Sequence, residues 1–107
     1  MADILIVYIT CADLAEARRI GRVLVEEGLA ACVNIRPHEA IYRWQGMIEE
    51  SAEIGMIAKI RREAYPALEA RVRALHNYTL PCIVAWALDE GSADYLRWIA
   101  DPDLVAG

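Results

Sequence analysis

Two side chains of this sequence have the chemistry to bind a soft metal ion. Cys32 lies in an apolar segment and His76 follows a predicted helix. Copper(I) prefers sulfur and also accepts imidazole nitrogen, so Cys32 and His76 form a candidate two-ligand site, unless cysteines of several subunits converge instead. Both residues also have a plainer interpretation. Free cysteine is among the most buried residue types, and a histidine that follows a helix can stabilise the helix dipole as a cation.

The other two cysteines, Cys11 and Cys82, fall at the ends of predicted strands. Burial is the first interpretation of both, and Cys11 is the more accessible because it opens a loop. Three cysteines at wide spacing, without a Cys-x-x-Cys motif, indicate neither a disulfide framework nor a zinc knuckle. We therefore predict reduced thiols. The protein is expected to be cytoplasmic, because Asp3 precedes the first apolar run where a signal peptide would be basic.

A second group of candidate residues is aromatic or polar. Tyr42 and Trp44 are two residues apart, so a strand presents both on one face. Their expected role is packing across a hairpin or between subunits. Asn34 is a polar residue in an apolar strand, and a buried amide needs partners, so it fixes a strand register or lines a cleft. Together with Tyr78 these residues form the predicted cleft or interface group.

Charge and motifs argue against several functions. The net charge is −5 without a basic patch, which disfavours nucleic acid and anionic membranes as partners. No run approaches the roughly 18 apolar residues of a membrane span. The chain has no glycine-rich phosphate loop, Gly-x-Ser-x-Gly or His-Glu-x-x-His motif, so we predict a protein that is not an enzyme and carries no organic cofactor. A catalytic role with Cys32 as nucleophile and His76 as base would be supported by their spacing in the sequence alone.

The elements that position these residues begin with a strand and a helix. The aliphatic run 4–10 is typical of a strand buried on both faces. Asp13 and Glu16 have the spacing of a capping box, and apolar residues then recur at helical spacing. Gly28 is a typical helix end, so we predict a helix over residues 14–27.

A long hairpin follows in the middle of the chain. Residues 29–36 are strand-like, and Pro37 predicts a bulge or bend over 37–39 before the strand resumes at 41–44. Gln45-Gly46 predicts a turn. Alternation of apolar and polar residues then indicates an antiparallel strand over 54–61.

The last third of the chain predicts a helix, a strand and a shorter helix. Pro66 suits a first helical turn, and the inward stripe of this helix is Leu68, Val72 and Leu75. Residues 82–88 form the last strand. Ser92 is a candidate N-cap for the final helix.

The predicted fold class is α/β (α+β), a ferredoxin-like βαββαβ domain that spans residues 1–107 and carries an additional C-terminal helix. In this arrangement both crossover helices cover the same face of the sheet. The first and last strands are apolar on both faces, so the uncovered face would expose a large apolar patch. We therefore predict a homo-oligomer that associates through that face.

Five sequence blocks carry a family resemblance. They are ITCAD at 9–13, LAACVNI at 29–35, YRWQGMIEESAE at 42–53, HNYTLP at 76–81 and YLRWI at 95–99. In this order and spacing the chain resembles the CutA divalent-ion tolerance family. The resemblance implies a homotrimer and an association with tolerance to copper and other divalent cations. The family's His-Pro-Tyr-Glu block is His76-Asn77-Tyr78-Thr79 here, so an acidic residue is missing and a cation site that used it would be weaker or differently built.

The predicted function is therefore a non-enzymatic homotrimer in divalent-cation tolerance and response to metal ions, which binds copper or a similar ion. The alternative is a trimeric sensor or scaffold similar to the PII-like signalling proteins, which would bind a small ligand or a protein partner in the clefts between subunits.

Overall fold

The computed structural model describes residues 3–103, which form a mixed α/β fold. The strands are β1 (Ile4–Cys11), β2 (Cys32–Trp44), β3 (Met47–Arg61) and β4 (Ile83–Ala87), and the helices are α1 (Leu14–Glu26), α2 (Tyr65–Leu75) and α3 (Ala93–Ala100). A short 3₁₀ turn, Arg62–Ala64, joins β3 to α2. The sheet is antiparallel with the order β2-β3-β1-β4, so the predicted βαββαβ order with an added helix is confirmed. No helix within residues 3–103 is long and apolar enough to cross a membrane.

Helix α1 begins as its capping pattern predicts. Asp13 is the N-cap, and its Oδ1 accepts the backbone N–H of Glu16 at 2.8 Å. The helix ends one residue before the predicted position. Gly28 then adopts a φ of +74°, the left-handed conformation that glycine commonly takes after a helix.

The main core lies between the sheet and helices α1 and α2. Alternate residues of β1 point into it, namely Leu5, Val7, Ile9 and Cys11, and they pack with Met56, Ala58 and Ile60 of β3. Leu68 and Val72 of the predicted α2 stripe are fully buried against them. Burying one such aliphatic side chain contributes about 1.5–3 kcal/mol.

β2 and β3 form one continuous hairpin, joined by the predicted turn. Gln45 and Gly46 have φ values of +50° and +82°, as the two-residue type I′ turn requires. Because the pairing continues up to this turn, β3 starts at Met47 rather than near residue 54.

The tip of this hairpin projects beyond the rest of the sheet. β1 pairs with β3 only as far as Cys11 opposite Ile54, whereas β2 stays paired with β3 up to the turn. We call residues 38–53, which lie beyond the end of β1, the arm. The longest dimension of the molecule is 48 Å, about twice the other two.

The predicted bulge or bend over residues 37–39 is wrong. Pro37 pairs in register with Ile54, and His38 pairs with Glu53. β2 is an edge strand, and an edge strand tolerates a proline whose missing N–H would face away from the sheet. The strand therefore continues through Pro37 without interruption.

Among the described residues, the second face of the sheet is covered only at one end. Leu96 and Ile99 of α3 are buried against Ile4 there. With α1 and α2 on the other side, β1 is buried along nearly its whole length, as predicted. α3 does not cover β4, whose Val84 and Trp86 are 52% and 50% exposed. We call the face that carries Val84 and Trp86 the open face.

A close contact fixes the root of the arm. His38 Nε2 lies 2.8 Å from Glu53 Oε1, and the ring of Tyr8 stacks on the imidazole with 6.5 Å between centroids. A Cβ at position 55 would lie 2.9 Å from His38 Nδ1. The imidazole therefore occupies space that Gly55 leaves open.

We expect Gly55→Ala to lower the free energy of unfolding by about 1–3 kcal/mol, the usual cost of overpacking, in urea denaturation at one fixed protein concentration. In a His38→Ala background the same substitution should cost little, because the imidazole is gone. Gly21→Ala is the matched control, since its Cβ would meet its nearest neighbours at 3.4 Å. An equal cost of Gly55→Ala in both backgrounds would contradict this account.

Candidate functional site

Three side chains that can bind metal ions converge where β1 ends. Cys11 is the last residue of β1, Glu16 lies in the first turn of α1, and His76 is the C-cap of α2. Their ligand atoms all lie within 4.8 Å of one another, and within residues 3–103 no other group of three His, Cys, Asp or Glu residues meets this criterion. The sequence pattern indicates only a helix-capping role for Glu16, because nothing local shows that its carboxylate also faces residue 76.

Both carboxylate oxygens of Glu16 already accept hydrogen bonds. Oε1 accepts the backbone N–H of Ala12 at 3.1 Å, and Oε2 accepts the backbone N–H of Asn77 at 2.8 Å. Glu16 is only 3% exposed. The carboxylate therefore links the start of α1 to the segment after α2.

Both ring nitrogens of His76 are also engaged. Nε2 lies 2.7 Å from the carbonyl oxygen of Thr10. A carbonyl can only accept, so Nε2 carries the hydrogen, and Nδ1 accepts the backbone N–H of Tyr78 at 3.0 Å. The 3.6 Å approach of Nδ1 to Glu16 Oε2 is then a contact between two acceptors. The imidazole is neutral, so its predicted role as a cation at the end of α2 is wrong.

The thiol of Cys11 is fully buried, which confirms its first interpretation, whereas the expectation that Cys11 is more accessible than the half-buried Cys82 is wrong. Cys11 Sγ donates to Met56 Sδ at 3.4 Å. Burial raises the pKa of Cys11 to about 12, and the charges of Glu16 and Asp13 add to this shift. Metal ions bind the thiolate rather than the thiol. The thiol is protonated, the one lone pair of His76 Nδ1 is occupied, and the Glu16 carboxylate already accepts two backbone N–H groups. The buried group therefore does not fit a cation in this arrangement.

Cys32 lies elsewhere, at the start of β2. It pairs with Lys59 of β3, and its half-buried thiol is 3.9 Å from the hydroxyl of Tyr95. Lys59 Nζ donates to the same hydroxyl at 3.0 Å, and this hydrogen bond is the main cause that raises the pKa of Lys59. Cys32 thus lies in a polar group at the end of the sheet that α3 covers.

The structure does not bring Cys32 and His76 together within one chain. His76 binds Thr10, which pairs with Gly55. Gly55 is four residues along β3 from Lys59, the partner of Cys32, a separation of about 13 Å at the usual rise of a strand. A site that used both residues would need side chains from different copies.

The predicted cleft group is divided. Asn34 is exposed rather than buried, because its strand lies at the edge of the sheet. Tyr42 and Trp44 lie on one face of the arm, and both are exposed. Tyr78 packs on the ring of His76 with 4.9 Å between centroids. Its segment lies near the root of the arm, because the neighbouring His76 binds Thr10 at the end of β1. Burial is the main cause that raises the pKa of Tyr78.

Comparison with known proteins gives consistent results. Residues 5–102 match the family model described as CutA1 divalent ion tolerance protein. The divalent-cation tolerance protein CutA of Thermus thermophilus is 47% identical over 97 residues, covering 90% of this chain and 94% of the relative. CutA of Archaeoglobus fulgidus is 44% identical over 93 residues, covering 87% and 91%.

Solved structures show the same relationship. The divalent cation tolerance protein Cut A1 from Thermus thermophilus superposes with a TM-score of 0.89 at 46% identity, covering 92% of this chain and 96% of that one. A structure described as the periplasmic divalent cation tolerance protein CutA from Archaeoglobus fulgidus has a TM-score of 0.88 at 43% identity, covering 90% and 94%. The chain therefore belongs to the CutA1 divalent-ion tolerance family.

Proposed function

We propose that this protein acts in divalent-cation tolerance as a homotrimer that binds copper or a similar cation and catalyses no reaction. One observation carries the proposal: the donor atoms that cluster within one chain are engaged in hydrogen bonds, while the open face and the arm expose large apolar side chains. A bound cation must then be held by donor side chains that are accessible on one subunit, or by donor side chains from two or more subunits.

Exposed apolar side chains support the assembly. Three residues of the arm are more exposed than the aromatic pair there: Ile41, Met47 and Ile48 are 72%, 64% and 59% exposed. On the open face, Val84 and Trp86 add a second apolar surface. Large exposed apolar side chains that are grouped on one part of a protein are typical of protein interfaces. The number of three subunits follows from the family resemblance.

Cys32 is the donor that best supports direct cation binding. Its thiol is half-buried and belongs to an edge strand, so a second copy can approach it. Sulfur is the ligand that copper(I) prefers. The structure contains three free cysteines, which favours a reducing compartment, and we propose a cytoplasmic location on that basis.

A second candidate function is a sensor or scaffold that binds a small ligand or protein partner between subunits. It is favoured by one observation: Asn34, Tyr42 and Trp44 lie on the same face of β2 and are all exposed. Asn34, Tyr42 and Trp44 thus offer hydrogen-bonding and stacking groups on one surface. Tyr78 follows His76, which binds Thr10 near the root of the arm.

Native mass spectrometry of the reduced protein with stoichiometric copper(I) tests the first proposal. We expect a trimer that retains a fixed number of ions. Cys32→Ser should weaken copper retention by at least about tenfold, since the loss of an outer-shell partner alone typically costs that much. Cys82→Ser is the matched control, because Cys82 is the other half-buried thiol. Unchanged copper retention in Cys32→Ser would remove this residue from the site.

The open face is tested by Trp86→Glu. A carboxylate at this position would have to lose its hydration in an apolar interface, so the variant should elute as smaller species at micromolar concentration in size-exclusion chromatography with light scattering. Leu14→Glu places the same charge at an exposed apolar position of α1 and should leave the assembly unchanged. An intact oligomer of Trp86→Glu would show that copies associate elsewhere.

The second candidate is tested by a thermal-shift screen of nucleotides and small anions. A ligand at 100 times its Kd adds about 2.7 kcal/mol to the stability of the folded state, so a genuine ligand should raise the melting temperature clearly. The Asn34→Ala variant should lose this response while its unliganded melting temperature stays the same. A response that is equal in both proteins would place the ligand elsewhere.

A further inference from the structure

The geometry points to a different role for the buried group: Glu16 and His76 are positioning residues that hold the segment after α2, so that Tyr78 is presented beside the arm, and they are not cation ligands. We call this group, Cys11, Glu16 and His76 with their backbone partners, the clasp. The inference rests on the proposed function in one respect, since the partner that Tyr78 would meet is a second copy of this chain.

The clasp supplies the hydrogen bonds that the segment cannot make for itself. Residues 76–82 form neither helix nor strand. The N–H groups of Asn77 and Tyr78 donate instead to the side chains of Glu16 and His76, at 2.8 and 3.0 Å. A buried backbone N–H that lacks a partner is unfavourable. These two bonds therefore determine where the segment lies.

The same two side chains hold the segment against the end of β1. His76 donates to the carbonyl of Thr10, and Glu16 also accepts from Ala12. These four hydrogen bonds therefore connect β1, the start of α1 and the end of α2 around one buried point. The His76 side chain is 0% exposed and that of Glu16 is 2% exposed, so water does not compete for these bonds.

Tyr78 is fixed by two contacts with the same imidazole. Its backbone N–H donates to Nδ1, and its phenol ring packs on the imidazole ring. The phenol remains 39% exposed, and its segment lies against Thr10 at the end of β1, where the arm begins. The clasp thus holds a partly exposed aromatic side chain at the place where the arm leaves the sheet.

A cation at the clasp would have to replace this arrangement. It would take the one lone pair of His76 Nδ1 and leave the N–H group of Tyr78 without an acceptor. It would also compete with the N–H groups of Ala12 and Asn77 for the Glu16 carboxylate, and it would have to displace the hydrogen of the Cys11 thiol, which is directed at Met56. Within residues 3–103, every buried side-chain nitrogen and oxygen has a partner, so no nitrogen or oxygen of the clasp is left without a hydrogen bond for a cation to satisfy.

The wild-type protein allows a first test without any substitution. In ¹⁵N NMR of its histidine side chains, we expect His76 to show a neutral ring protonated at Nε2, and to keep those shifts when one equivalent of Zn²⁺ is added per subunit. His38 serves as the internal reference. A shift of the His76 nitrogens to metal-bound values on adding Zn²⁺ would overturn the inference.

Glu16→Gln tests the positioning role, because glutamine has one acceptor oxygen and its NH₂ group can only donate, so it cannot accept both N–H groups that Glu16 now binds. We expect backbone hydrogen exchange in the segment 76–78 to accelerate at least tenfold. We also expect the variant oligomer to dissociate at a higher protein concentration than the wild-type oligomer does. Zinc and copper retention should stay within twofold of wild type. Glu27→Gln is the control, since Glu27 caps the other end of α1 and binds Arg71 on the surface.

The two hypotheses fail in different ways. Unchanged exchange at 76–78 in Glu16→Gln, or loss of ion retention with an intact segment, would overturn the clasp. If the wild-type protein retains no ion, that result would instead count against the proposed cation binding. The positioning role of the clasp would then be decided by the hydrogen-exchange result. If Glu16→Gln does not fold, the wild-type NMR titration decides alone.

Discussion

Strand β1 must be covered on both faces, and much of the structure follows from that constraint. It is the central strand between β3 and β4, and all but one of its residues are buried. Helices α1 and α2 cover one face, as the βαββαβ order requires. Within residues 3–103 the other face has only α3, eight residues long, which reaches the end at Ile4. The rest of the open face leaves Val84 and Trp86 half-exposed, and burial of these side chains against another copy is the physical basis for the proposed assembly.

The arm differs from β1 in that nothing within residues 3–103 packs over its tip. Its backbone bonds are satisfied by the β2–β3 ladder, but an isolated two-stranded hairpin is at best marginally stable in water. The contact of His38 with Glu53 over Gly55 fixes its root, and the apolar side chains at its tip are exposed in the part of the chain that the structure describes. Docking of the arm on another copy would supply the missing contacts and would cover apolar surface on both molecules.

Features that depend on nearby residues were predictable from the sequence, and features that depend on the sheet were not. The Asp13 cap and the Gly46 turn involve residues within a few positions, so their patterns identified α1 and the hairpin. Pro37 and Asn34 were misjudged for one reason: their consequences depend on β2 being an edge strand, which is a property of sheet order. The burial of Cys11 likewise depends on Met56, which is 45 residues away in sequence.

The candidate site shows the same limit in its chemistry. Cysteine, glutamate and histidine are typical metal ligands by type, and here they are also close in space. Whether they can bind an ion depends on where their lone pairs are directed, and the lone pairs of Glu16 and His76 are directed at backbone N–H groups. Proximity of donor residues is therefore insufficient evidence for a metal centre. In a family named for divalent-ion tolerance, the better candidates for cation binding are therefore donors such as Cys32, which remain accessible on the edge strand, rather than the buried group.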